Sequence, residues 1–494
     1  MLLLGIDIGT SSIKVSIVNA NNSKSVASAH YPETEAAIIS HHPGWAEQEP
    51  ETWWEYFKLA FKKAASTGKF KASDIKAIGI AYQMHGLVII DKNKKVLRPS
   101  IIWCDSRAVE IGNKAFHALG EEYSLIHYLN SPGNFTASKL AWVKANEPDV
   151  YGKVFKMMLP GDYLTMKLTG EITTSASALS EGILWDFQSE TPAKRLMDQY
   201  GFTNEILPEI KPVFIEHGLV TKSASEELGL PMGIPVSYKA GDQPNNALSL
   251  NVLEPGEVAA TAGTSGVIYA VSDQANYDPK SRVNSFAHVN HDSYQKRIGI
   301  LLCINGTGIM NRWIRDIAGK DISYGEMNSQ AESIPLGSEG LLVLPFGNGA
   351  ERMLENKMPG AQFSNMQFTV HGPAHLFRAV QEGIACAFRY GLDIMRENGL
   401  QPSVIRAGKA NMFLSELFTR LFVNLTSTPV ELYENDGAVG AAIGAGIGAG
   451  VYSNSREAFA SLKPIKEFTP ESNLDAYEDL FLEWKQKLSE SISE

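Results

Sequence analysis

The chain has 494 residues, of which 44% are hydrophobic and 20% charged, and a formal net charge of −11 at pH 7. That length exceeds what one hydrophobic core usually supports, about 250–300 residues, so two large domains are expected. The negative charge argues against nucleic acid or an anionic membrane surface as the main partner. Cys104, Cys303 and Cys386 are spaced for neither a zinc site nor a disulfide framework, which points to a reducing, cytoplasmic setting.

Taken in chain order, Leu2–Asp7 and Ile13–Asn19 read as strands flanking Gly9-Thr10-Ser11, and Ser25–Tyr31 as a third. The early apolar run lacks a basic flank and is interrupted by Asp7, so no secretory leader is expected. Pro50 opens a helix whose Trp53, Trp54, Phe57 and Phe61 form an apolar stripe. Ile75–Ala81 reads as a buried strand ending in Tyr82-Gln83-Met84-His85-Gly86, with a short strand at Val88–Ile90. The middle third alternates helices and loops, with helices expected around Lys139–Ala145 and after Pro160. Val236–Ala240 reads as a strand leading into Gly241-Asp242-Gln243-Pro244 and a helix. The domain boundary is placed just after it, giving domains 1–250 and 251–494.

The second half opens on a near-copy of the first hairpin, Val258–Ala262, Gly263-Thr264-Ser265 and a further apolar strand. A tight turn of this kind lets backbone amides and hydroxyls approach phosphate oxygens. Two copies half a chain apart suggest a duplicated phosphate-binding domain. Leu341–Pro345 and Val404–Ala407 read as buried strands, Glu416–Asn424 as a helix and Val430–Tyr433 as a strand. Val439–Val451 is too short to span a bilayer. It reads as a packed helix with Gly440, Gly444 and Gly448 on one face, open to close backbone approach. Ala476–Ile492 reads as a surface amphipathic helix.

Local sequence leaves the chemistry open. Asp7, at a strand end beside Gly9-Thr10, suits a Mg²⁺ ligand or a carboxylate bonded within its own turn. Asp242, after a strand, suits a general base or a helix N-cap. His85 suits a buried structural hydrogen bond as well as a pocket. Trp103-Cys104-Asp105-Ser106-Arg107 suits a sugar pocket or a surface ion pair, and Gly408-Lys409-Ala410-Asn411 an adenosine contact or a plain strand-to-helix turn.

Further phrases run in order along the chain: Pro43–Pro50 followed by Trp53-Trp54, Leu97-Arg98-Pro99, Leu159-Pro160 with Asp162-Tyr163-Leu164, and Leu168–Glu171. With Gly5–Ser11, Gln83–Gly86, Gly241-Asp242 and Gly263–Gly266 they resemble the FGGY-type carbohydrate kinases over roughly residues 2 to 450, and most nearly the xylulokinase branch. The resemblance implies an α/β fold of two ribonuclease-H-like domains, of the actin and hexokinase type, with an interdomain cleft. It implies ATP-dependent phosphorylation of D-xylulose to D-xylulose 5-phosphate. Asp242 would be the general base and Asp7 would position Mg²⁺. Met84, His85, Trp103, Asp105, Asp242 and Gln243 would meet the sugar. Thr10, Ser11, Gly263 and Thr264 would meet the phosphates, and Gly408 and Asn411 the adenosine. The partners implied are sugar and ATP, with a homodimer left open. The rival readings are a kinase for another ketose or polyol and a non-catalytic actin-type ATP-binding protein.

Overall fold

Two mixed sheets organise the chain, and the computed structural model describes residues 1–319, 321–434 and 436–493. The first sheet contains β1 (Leu2–Ile8), β2 (Ile13–Asn19), β3 (Lys24–Tyr31), β4 (Ile75–Tyr82), β5 (Gly218–Leu219) and β6 (Pro235–Gly241). Their spatial order is β5-β6-β4-β1-β2-β3. The second contains β7 (Glu257–Ala262), β8 (Gly266–Ser272), β9 (Asn284–Ala287), β10 (Ile298–Ile304), β11 (Val404–Gly408), β12 (Val430–Tyr433) and β13 (Lys466–Phe468). Their order is β9-β10-β8-β7-β11-β12-β13. The two sheets share one plan. Antiparallel neighbours β3-β2-β1 in one match β10-β8-β7 in the other. Two parallel strands then follow, β4 and β6 in the first sheet and β11 and β12 in the second. The repeated hairpin of the sequence is thus part of a repeated sheet.

The helices that matter below are α1 (Pro50–Ala65), α2 (Thr136–Asn146), α3 (Pro160–Thr169), α4 (Asp242–Ser249), α5 (Gly308–Ala318), α6 (Tyr324–Glu332), α7 (Pro373–Glu397), α8 (Glu416–Thr426), α9 (Gly437–Gly448) and α10 (Asp475–Ser493). Nearly every residue of β1 is buried, as expected of a strand covered on both faces. The α1 helix packs over β2 and β3, and α9 lies on β1, β4 and β6.

The seat of α9 depends on glycine. Gly5 and Gly79 stand side by side in the β1–β4 register. A Cβ on Gly5 would overlap the Ala438 carbonyl, and one on Gly79 the Ala441 carbonyl. On the helix side, Gly444 receives the Tyr238 ring and Gly448 the Ser237 carbonyl. The helix therefore rests directly on the strand backbones. Every strand of the first sheet precedes residue 242 and every strand of the second follows residue 256. Helix α9 comes from the second half of the chain yet packs in the first lobe.

The longest helix, α7, was not expected from the sequence, and neither were β9 and β10. The terminal helix α10 buries Leu480, Phe481, Trp484 and Leu488, and the Trp484 indole donates to the Val343 carbonyl at 2.8 Å.

Candidate active site

Parallel strands bring the two acids together. In register, Asp7 of β1 lies beside Ala81 of β4, and Gly241 of β6 lies beside Tyr82. Asp7 and Asp242 thus emerge at the same carboxyl edge of the sheet, where open α/β sheets bind ligands. Asp242 is the first residue of α4. Gly241 is the N-cap and makes no side-chain cap, so the capping role is not the one Asp242 plays.

Their electrostatics are coupled. The Asp242 carboxyl is raised to about 7, chiefly by burial and then by Asp7, with hydrogen bonding from Gln243 opposing the shift. Asp7 is raised to about 6 by burial and by Asp436, with Lys14 opposing. Lys14 is paired with Asp436 at 2.6 Å. Gly437, at the start of α9, faces the Asp7 carboxylate so closely that a Cβ there would crowd it.

Across the cleft stands the edge of the second sheet. One pocket is lined by Asp7, Asn246 and Gly437 on one side and by Thr261, Gly408 and Asn411 on the other. Asn411 also lines a neighbouring pocket with Gly263, Thr264, Ile309, Tyr324 and Leu414. The Gly263-Thr264 turn is anchored to the start of α5, its carbonyls accepting from Gly308 and Ile309 at 2.8 and 3.1 Å. Asn411 has a left-handed φ of 52°. The two adjoining pockets share Ala262 and Asn411, and their mixed polar and apolar lining suits a nucleotide's phosphates and base.

The other expected residues gather on the first lobe. His85 is left-handed, with φ 61°. Its Nδ1 lies 2.9 Å from the Glu181 carbonyl. Burial, then the charge of Lys139, lowers its pKa to about 3, so the ring is neutral. Because a carbonyl only accepts, Nδ1 carries the proton and Nε2 is left as an acceptor. Met84 lies against Gly241, beside the Glu181 carboxylate. The half-exposed Trp103 donates from Nε1 to Thr10 Oγ1 at 2.9 Å. Thr10 in turn donates to Gln83 Oε1 at 3.3 Å. The Thr10 hydroxyl is thus tied into the Trp103 and Gln83 network. Ser11 is exposed, and its carbonyl accepts from Ala36 at 2.7 Å.

Asp105 differs from the expectation of a sugar contact. It is fully buried, and its oxygens accept from the Ala46 amide at 2.6 Å and from the Arg107 guanidinium at 2.6–3.0 Å. With its lone pairs committed, it holds the Trp103 loop in place.

Two buried residues next to the site were missed. Lys139 of α2 is fully buried and donates to the carbonyls of His85 and Ile102, both at 2.9 Å. It binds the His85 turn to the Trp103 loop, and burial lowers its pKa to about 7. Glu181 is buried beside Gly241, and burial raises its carboxyl well above the usual range. The available signal was a charged residue set among small or apolar ones, as in Ala176–Glu181.

Comparison with known proteins accords with this arrangement. Residues 2–249 match the N-terminal domain of the FGGY family of carbohydrate kinases, and residues 258–449 its C-terminal domain. A xylulose kinase of Escherichia coli (strain K12) is 28% identical over 94% of this chain and 92% of its own. One from Bacillus subtilis (strain 168) is 27% identical over 97% and 95%. The crystal structure of xylulose kinase from Rhodospirillum rubrum superposes with a TM-score of 0.88 at 26% identity, covering 99% of each chain. Plasmodium falciparum glycerol kinase with ADP shares the fold, with a TM-score of 0.89 at 20% identity over 99% and 98%. A duplicated sheet, two carboxylates at one sheet edge and domain matches over most of the sequence lead to one assignment: the chain belongs to the FGGY family of carbohydrate kinases and is a two-domain enzyme of that fold.

Proposed function

We propose that this kinase transfers the γ-phosphoryl group of ATP to the 5-hydroxyl of D-xylulose, with Asp242 as general base. The observation that carries the reading is the buried carboxylate of Asp242 at the start of α4, its pKa raised to about 7 by burial and by Asp7, the acid that lines the cleft shared with the second lobe. The ketose is supported by Gln83-Met84-His85-Gly86 and by relatives named xylulose kinase over nearly the whole chain.

In this mechanism the sugar O5 attacks the γ-phosphorus, the bond to the bridging oxygen breaks, and ADP leaves. The O5 proton passes to the Asp242 carboxylate, so no free alkoxide forms. The neutral His85 accepts a sugar hydroxyl at Nε2, while Met84 and the Trp103 indole wall the pocket. Gln243, bonded to Asp242, keeps the base oriented. The amides of the Gly263-Thr264 turn face the phosphates.

The residues fit a magnesium ion. Asp7 raises the proton affinity of Asp242, and Asp436 raises that of Asp7, which a cation would relieve. Among the described residues no cluster of three or more His, Cys, Asp or Glu forms a full protein cage. Mg²⁺ commonly uses one or two carboxylates, with water and substrate phosphates completing its shell. Asp7 would hold it, and when bound it offsets charge on the phosphate oxygens.

The test is a coupled ADP-release assay over a panel of ketoses and polyols. D-xylulose is expected to stimulate release far more than glycerol, L-ribulose or L-fuculose. A stronger response to one of those sugars would reassign the substrate.

A further inference from the structure

The second lobe sends one face of its sheet toward the sugar pocket. Phe286 of β9 packs its ring 5.4 Å from that of His85 and 6.0 Å from that of Phe135. Asn284, two residues earlier, projects from the same face about 7 Å along the strand. Asn284 is paired with Leu301 of β10, so Cys303, two residues on, lies on that face as well.

Arg352 reaches this face. Its Nη1 donates to Asn284 Oδ1 at 2.9 Å. Among the described residues it has no ion-pair partner, and most of its five N–H donors are unused. The preceding residue fixes its position, because the buried Glu351 carboxylate accepts the Asn305 amide at 3.1 Å with both oxygens. The charge of Arg352 acts on both His85 and the Cys303 thiol, and the charge of Asp242 acts on the same thiol. The guanidinium is therefore held by Asn284 on the same strand whose Phe286 packs against the His85 ring. A half-buried guanidinium without a carboxylate partner is set up to hydrogen-bond an incoming oxygen-rich ligand.

We propose that Arg352 is a sugar-binding residue supplied by the second lobe, donating to the carbonyl-and-hydroxyl end of the ketose remote from the hydroxyl that Asp242 activates. It rests on the ketose reading above. The consequence is that one sugar bridges both lobes. His85 and Asp242 grip it from the first and Arg352 from the second, so sugar occupancy itself favours the closed cleft.

The experiment compares Arg352→Met, Arg352→Lys and Asn284→Ala with the unaltered protein by steady-state kinetics in both substrates. Arg352→Met should raise KM for D-xylulose about 10- to 100-fold, as expected for lost hydrogen bonds from a charged donor, and leave KM for ATP within about twofold. Arg352→Lys should fall between, since a lysine keeps the charge but not the planar fork. Asn284→Ala, which only releases the guanidinium, should raise the sugar KM by a smaller factor. An Arg352→Met protein with normal melting and a sugar KM within about twofold of the unaltered protein overturns the proposal. If that variant does not fold, an unchanged sugar KM in Asn284→Ala overturns it instead. Unaltered protein that releases no ADP with D-xylulose overturns the ketose reading and this inference together. Normal activity with an unshifted Arg352→Met overturns this inference alone.

Discussion

Asp242 carries two opposite demands, and substitution separates them. As the proposed base it must be ionised, so kcat/KM should fall as pH drops through about 7, its folded value. Asp242→Asn should lower kcat by about 10²–10⁴-fold while still binding ATP. The same change should stabilise the fold. A carboxyl whose folded pKa is raised contributes stability that is present below its unfolded pKa and lost as pH rises through the folded pKa. The ionised Asp242 is thus a liability above about pH 7. Asp242→Asn should melt higher than the unaltered protein at pH 8 and at the same temperature near pH 4. Near-normal turnover, or equal melting at pH 8, would show that Asp242 is neither the base nor strained. His85 behaves differently. With its pKa lowered to about 3, it stays neutral through the working range, so the sugar KM should show no histidine transition between pH 5 and 8. His85→Ala should raise that KM by a factor equivalent to about 1–3 kcal/mol. Asp7 and Asp242 were legible in the sequence because each ends a short apolar strand, where an acid is conspicuous. Lys139, Glu181 and Arg352 were not. Their meaning depends on distant segments folding onto one pocket, and locally each is an ordinary charged residue.

At the scale of elements, the contact that sets the first lobe is glycine against helix backbone. Gly5→Ala would push a methyl into the Ala438 carbonyl. Overpacking of this kind typically costs about 1–3 kcal/mol. Because α9 begins at Gly437, against the Asp7 carboxylate, displacing it should also disturb the Asp7 site. Gly5→Ala should therefore lower the melting temperature and reduce kcat more than it raises the sugar KM. Full stability in that variant would mean that the helix sits further from the sheet than this packing requires. The glycine pattern of α9 was readable, since Gly440, Gly444 and Gly448 recur at helical spacing. So were both phosphate-type hairpins, whose alternating apolar strands close on Gly-Thr-Ser. Helix α7 was missed although Pro373 stands at its first turn and Phe377, Val380, Ile384 and Phe388 are buried. Gly383 and Gly391 interrupt that stripe, because the helix packs tightly on the backbone of the Leu342–Phe346 strand at Val343 and against Leu302. Strands β9 and β10 were missed because a long polar loop separates them and hides their pairing from any local pattern.

For the whole molecule, the question is how two lobes close on a sugar without wasting ATP on water. The outer edge of β9 is not left open. Asn130 of the first lobe donates to the Ser285 carbonyl at 2.6 Å and accepts from its amide at 3.1 Å. Ser177 and Ser180 take the carbonyl and amide of Ala287, both at 2.8 Å. Side chains of one lobe thus satisfy an edge strand of the other, which would otherwise expose unpaired backbone groups. This seam runs beside the proposed sugar pocket, next to Phe286 and His85, whereas the cleft between Asp7 and Gly408 carries open volume. The inter-lobe hydrogen bonds thus lie at the proposed sugar end, and the open volume at the proposed nucleotide end. Closure there would shield the phosphoryl group from water once both substrates are bound. Loosening the seam should therefore cost fidelity before it costs binding. Asn130→Ala leaves the Ser285 amide and carbonyl without their partners, a loss of about 1–3 kcal/mol. It should lower the melting temperature and raise ADP release in the absence of sugar relative to release with D-xylulose. The ratio of the two rates is the decisive quantity, because general destabilisation lowers both together. If the ratio is unchanged in a folded Asn130→Ala protein, the seam only joins the lobes, and exclusion of water must come from residues at the nucleotide end.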